Sequence, residues 1–169
     1  MKEKLPTVRE IVRAYNLLVK NIDSDAQNGE DGRAYGGTVR SAKGKLVESI
    51  AKSLVQIAWH ELGGKASWLS LEKKSIVVHL KKDYLNRVQN PDVRAYIKDN
   101  WEKFVYKFRT DVHAYIDDKL VVGVECKAYT ENAMLKRIMM DFTFLKEAYP
   151  KAESVLVQLE SQLGGDYSQ

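Results

Sequence analysis

Apolar and polar residues alternate from position 111 to 129. Val112, Ala114 and Ile116 are apolar, while Asp111, His113 and Tyr115 interleave with them. Further on, Val122, Val124, Cys126 and Ala128 fall on one side, and Val121, Gly123, Glu125, Lys127 and Tyr129 on the other. A period of two is the signature of β-strands, so this stretch predicts a hairpin with a core face and an outward face. A three-residue loop at Asp117, Asp118 and Lys119 would pair Ile116 with Leu120, Ala114 with Val122 and Val112 with Val124. A slip by one residue would set apolar positions against polar ones, which a half-buried sheet resists. The favoured register places Asp111 across from Glu125, with Lys127 next along.

Elsewhere the period lengthens. Thr7 and Glu10 form a capping box ahead of Ile11, Ala14, Tyr15 and Leu18, predicting a helix over 8–20. A polar stretch rich in Gly, Asp and Ser then predicts a long irregular loop through residue 44. Val47, Ile50, Ala51, Leu54, Ala58 and Leu62 make the stripe of a helix over 45–62, with Glu48 at its border. Residues 75–80 (SIVVHL) read as a strand. Asp92 reads as the cap of a helix carrying Val93, Tyr96, Ile97, Trp101 and Phe104. A helix over 133–149, stopped by Pro150, and a last strand over 154–161 complete the order. This is the pattern of a single α/β (α+β) domain over 1–169: a central mixed sheet flanked by helices. It divides into an N-terminal helix and loop (1–44), a core (45–161) and a tail (162–169).

Composition narrows the classes. A chain of 169 residues with 44% hydrophobic and 30% charged residues is of ordinary globular type. It contains no run of roughly 18 apolar residues and no apolar N-terminal leader, so a cytoplasmic protein without a membrane partner is expected. One cysteine, Cys126, and three scattered histidines, His60, His79 and His113, exclude a thiolate zinc site. A net charge of +4 and a pI near 9.0 permit a polyanionic partner without demanding one.

The hairpin carries the chemistry. Carboxylates on facing strand positions, with Cβ atoms about 4.5–5.5 Å apart, repel unless a cation or proton lies between them. Asp111 and Glu125 therefore suggest Mg²⁺, which takes one or two carboxylates and leaves positions for water and phosphate. Lys127 would bring a positive charge to the attacking water or to the developing charge on phosphorus. The competing reading is a solvated sheet face with ordinary surface ion pairs.

The segment RTDVHAYIDDKLVVGVECKAYTE resembles the core of the PD-(D/E)xK nucleases, specifically the type II restriction endonucleases. In that family an acidic residue opens one strand and the next carries Glu-x-Lys; here thirteen residues separate Asp111 from Glu125. Thr110 stands where the family often has proline. A literal Pro-Asp at Pro91 and Asp92 precedes a helical pattern, too far from Glu125 to share its hairpin. The resemblance covers approximately residues 45–160 and implies a restriction-endonuclease-like core. It also implies that Asp111, Glu125 and the backbone carbonyl of Cys126 hold Mg²⁺ (with Mn²⁺ as a substitute), that Lys127 helps activate water, and that hydrolysis leaves 5′-phosphates. Glu48 matches the glutamate that some members add from the first core helix, although it is equally an i,i+4 partner of Lys52.

Site-specific cutting also requires contacts to base edges. NAMLKR resembles a base-reading segment of some restriction endonucleases, which nominates Glu131, Asn132, Lys136 and Arg137, with Thr130 as a helix cap. Arg33, Arg40, Lys43 and Lys45 are candidates for phosphate contacts. The last helix has a broad apolar stripe (Met134, Ile138, Phe142, Leu145, Tyr149) and a narrower one (Ala133, Met140, Phe144). The second stripe points either to burial under the segment between the strands or to a homodimer suited to palindromic double-stranded DNA. The leading expectation is a Mg²⁺-dependent type II restriction enzyme. The alternatives are a structure-selective nuclease, such as a Holliday junction resolvase, and a non-catalytic nucleic-acid-binding module.

Overall fold

The alternating stretch folds as a hairpin: β4 (Val112–Ile116) runs antiparallel to β5 (Lys119–Thr130). The computed structural model describes the backbone of residues 5–27 and 37–161, and the side chains of 5–20 and 41–159. Ahead of the hairpin come α1 (Val8–Gln27), α2 (Gly37–Glu61), β1 (Leu69–Glu72), β2 (Ile76–His79), α3 (Lys82–Arg87), α4 (Pro91–Asp99) and β3 (Val105–Phe108). After it come α5 (Asn132–Ala148) and β6 (Glu153–Ser161). The central sheet has the order β1-β4-β5-β6, antiparallel except for the β5–β6 pair, which α5 connects as a parallel crossover. β2 and β3 form a separate two-stranded ladder. The expected mixed sheet flanked by helices is the architecture found.

The hairpin turn differs from expectation. Asp117 and Asp118 alone make it, with φ of 47° and 61°, and Ile116 pairs with Lys119 and Tyr115 with Leu120. Two consecutive left-handed residues match the right-handed twist of the strands, and Asp tolerates that conformation. A bulge between Ala114 and Tyr115 then leaves Val121 without a partner and restores Ala114 opposite Val122 and Val112 opposite Val124. It also moves Leu120 across the sheet. Leu120 packs with Tyr115 and Leu145, whereas Val122 joins Val112, Val124 and Cys126.

Both faces of the hairpin are buried, and this corrects the outward assignment of His113 and Tyr115. Val47 and Ala51 of α2 pack on Val112, Val124 and Cys126. On the other face α5 comes so close over Gly123 that an added Cβ would lie 2.5 Å from Leu145 Cδ2. His113 is fully buried there, and Tyr115 nearly so.

Other elements show where local pattern fell short. The capping box is present: the Thr7 N–H donates to Glu10 Oε2 at 2.7 Å and the Glu10 N–H to Thr7 Oγ1 at 3.3 Å. The helix it starts runs on to Gln27. α2 begins at Gly37, so TVRSAKGK is helical rather than loop: Arg, Ala and Lys favour helix even without an apolar period. Its stripe is covered at Val47 and Ala51, while Leu62, beyond the helix end, is 80% exposed. Asn90, and not Asp92, caps α4, accepting from the Asp92 and Val93 N–H groups with Pro91 at the first position. That helix stops at Asp99, so Trp101 and Phe104 fall outside it. β1, β3 and α3 have too few residues for a period to be read.

Candidate active site

Asp111 lies where two ladders fail to meet. β1–β4 pairing sets Glu72 opposite His113, and β2–β3 pairing sets Ile76 opposite Phe108, so 73–75 face 109–112 with one residue more on the Asp111 side. Released from the ladder, the Asp111 carboxylate turns to β5, where Oδ2 accepts the Cys126 N–H at 2.8 Å. His113 fills the break. Its Nε2 lies 3.2 Å from the Thr110 N and its Nδ1 3.3 Å from the Lys74 N. A neutral imidazole has one acceptor nitrogen, so it satisfies one of these amides and abuts the other. Burial, with Lys73 nearby, lowers its pKa and keeps the ring neutral.

The Lys127 ammonium marks where the site converges. It lies 2.5 Å from Glu125 Oε1, 3.2 Å from the Cys126 carbonyl oxygen and 3.5 Å from Asp111 Oδ2. β5 alternation puts Glu125 and Lys127 on one side of their strand, and the break lets Asp111 reach the same point. Glu48 of α2 stands further out. Its Oε1 pairs with Lys52 at 2.9 Å and its Oε2 with Lys73 at 3.7 Å; Lys73 in turn lies 3.2 Å from Asp111 Oδ1. Acids and lysines thus alternate: Lys52, Glu48, Lys73, Asp111, Lys127, Glu125.

Each group titrates accordingly. Burial works to raise the Asp111 carboxyl, but the Cys126 N–H, Lys127 and Lys73 outweigh it and hold the carboxyl below its usual range. Glu125 is raised, by burial first and by the Asp111 charge, against the opposing pull of Lys127. Burial alone would lower Lys127, yet contact with Glu125 and Asp111 raises it and keeps the ammonium charged. The Cys126 thiol is pushed up to about 12, by burial and then by neighbouring carboxylates, and is no nucleophile at neutral pH.

Among the described residues no group of three or more His, Cys, Asp and Glu side chains is placed to hold a metal ion. A hard cation does not need one, since two carboxylates and a carbonyl leave positions for water and phosphate. Asp111, Glu125 and the Cys126 carbonyl are such a donor set, all in contact with one ammonium. The residues fit a divalent oxygen-seeking ion.

The other sequence-derived candidates are dispersed. Glu131, Asn132, Lys136 and Arg137 are exposed on the N-terminal end of α5, directly after the strand bearing Glu125 and Lys127. Glu131 holds the N-cap position without a side-chain bond, and Thr130, buried as the last residue of β5, is not the cap. Lys45 is exposed, but Lys43 is only 4% exposed, four residues from Val47 on the face of α2 turned to the sheet. Such burial keeps Lys43 from a surface phosphate. The side chain of Arg40 and the whole of Arg33 lie outside the described residues. On α5, Ile138 and Leu145 are buried as expected while Tyr149 is 38% exposed. Of the second stripe, Phe144 packs on Tyr106 and Phe108 of β3, with ring centroids 5.0 and 6.2 Å away. Ala133 and Met140 remain exposed.

Sequence reasoning missed Lys73. It belongs to a charged turn, Glu72-Lys73-Lys74, that has no period, and only the pairing of the unforeseen β1 with β4 brings it to Asp111.

No family model matches the chain, and no solved structure does. A curated relative does: the type II restriction enzyme DdeI of Desulfomicrobium norvegicum is 44% identical over 165 residues, which span 96% of this chain and 69% of the relative. Identity at that level across nearly the whole chain decides against the resolvase and non-catalytic readings. The chain belongs to the type II restriction enzymes and is a site-specific deoxyribonuclease.

Proposed function

We propose that this enzyme hydrolyses phosphodiester bonds of double-stranded DNA with Mg²⁺ held by Asp111, Glu125 and the Cys126 carbonyl, leaving 5′-phosphate ends. The observation that carries this reading is the meeting of those three oxygens on the Lys127 ammonium. When bound, magnesium supplies Lewis-acid stabilisation of the charge that develops on the phosphoryl oxygens.

The protein's own groups do the rest. Asp111 is ionised and anchored by a backbone N–H, so it offers an oriented charge. Glu125, being buried, gains its charge at higher pH than an ordinary glutamate, so metal loading weakens as pH falls and that charge is lost. Lys127 stays protonated, which suits it to orient water and stabilise negative charge rather than to remove a proton. Glu48 borders the site and assists from there.

DNA is read from the start of α5. Glu131, Asn132, Lys136 and Arg137 project from the element that leaves the catalytic strand, within reach of groove edges once a phosphate lies at Lys127. Lys45 on α2 contributes a phosphate contact, while Lys43 serves inside the protein. A homodimer acting in the cytoplasm places two such sites on the two strands; the exposed Met139 and Met140 on α5 supply apolar surface for it. Among the described residues no helix is long and apolar enough to cross a membrane.

The test is incubation of phage DNA with Mg²⁺, Ca²⁺ or chelator. Discrete bands with Mg²⁺ alone, and ends that ligate without prior phosphorylation, are expected; cutting in chelator sinks the metal reading. Lys127→Ala lowers cleavage by about 10²–10⁴-fold while DNA binding in Ca²⁺ persists.

A further inference from the structure

Lys73 has no part in the hydrolysis described above, yet its ammonium lies between two of the carboxylates, 3.2 Å from Asp111 Oδ1 and 3.7 Å from Glu48 Oε2. The local chain aims it there. Lys74, its neighbour, is tied down: Nζ meets Glu72 Oε2 at 2.8 Å and sits 4.5 Å over the Tyr115 ring, and the backbone N–H faces His113. With Lys74 held on Tyr115, Lys73 projects to the Asp111 side.

We propose that Lys73 is a placeholder cation that competes with the divalent ion for Asp111 and withdraws from it as the ion loads. The inference rests on the metal reading given above. A divalent ion at Asp111 repels every ammonium nearby, and Lys73 has the least to keep it. Lys127 has three oxygen contacts, the tightest at 2.5 Å to Glu125, and a side chain 28% exposed, whereas Lys73 has two, at 3.2 and 3.7 Å, and is 38% exposed. When Lys73 leaves, Glu48 retains Lys52 at 2.9 Å, so no buried carboxylate is stranded. Before loading, the same ammonium relieves the repulsion between Asp111 and Glu48, which allows the acidic site to fold in chelator. Lys73 is a positioning residue here and touches no reacting atom.

The test is calorimetric titration of the DNA-free protein with Mn²⁺, comparing wild type, Lys73→Met, Lys73→Arg and Asp111→Asn. An exposed ion pair of this kind is worth a small factor, so Lys73→Met should bind Mn²⁺ roughly two- to fivefold more tightly, with Lys73→Arg returning to wild-type affinity. Unchanged or weaker binding by Lys73→Met, while Asp111→Asn abolishes it, overturns the placeholder role and leaves the metal site standing. Binding by Asp111→Asn equal to wild type overturns the metal reading itself. Circular dichroism of each variant establishes that it is folded, and Lys73→Gln provides a second neutral replacement should Lys73→Met fail that check.

Discussion

The two ends of the β4–β5 hairpin obey different rules. At the open end, Val112 faces Val124 and Ala114 faces Val122 in regular register, with Asp111, Glu125 and Lys127 just beyond. At the closed end a two-residue turn shifts the pairing by one, and the unpaired Val121 takes up the difference. The expected three-residue loop was wrong, as was the pairing of Ile116 with Leu120, while the pairings of Ala114 with Val122 and Val112 with Val124 are present. Apolar pairing under α2 holds the end next to Asp111, Glu125 and Lys127, and the turn accommodates to it through a bulge.

Inserting one alanine between Val124 and Glu125 breaks that asymmetry most severely. It sends Glu125 and Lys127 to the opposite face, beyond the bulge's power to correct, and plasmid cleavage should fall by about 10³-fold or more. Gly123→Ala, midway along, acts on packing: its Cβ meets Leu145, which is itself fully buried, so thermal or urea unfolding should register a loss of about 1–3 kcal/mol. Deleting Val121 removes the extra residue while Val112 stays opposite Val124. Cleavage should survive, with stability changed by only about 1 kcal/mol. Lost cleavage in the deletion variant would mean that the bulge itself aims the site. The smallest effect is expected at the turn, where Asp118→Gly relieves a φ of 61° and should raise stability by up to about 1 kcal/mol without altering cleavage.

Much of the site was legible because it depends on local order. Period-two alternation placed Glu125 and Lys127 on one side of a strand, and the pairing of valines brought Asp111 near them. Glu48 was visible as the polar border of a helical stripe. His113 and Tyr115 were misassigned because alternation separates two faces without saying whether the second is covered. Here α5 covers it, through a crossover whose path no local pattern contains.

The sequence by itself determined the hairpin, the pairing of Val112 with Val124 and Ala114 with Val122, the helix that follows it, and the kinship with restriction enzymes, since these rest on short-range periodicity and residue identity. Tertiary structure alone decided that two ladders break at Asp111, that His113 plugs the break, that Lys43 lies inside, and that Lys73 reaches the acidic cluster. All of these but the burial of Lys43 require β1 to pair with a strand some forty residues away. Four-residue strands carry too little pattern to specify such a partner, so the choice falls to the burial and hydrogen bonding of the assembled sheet.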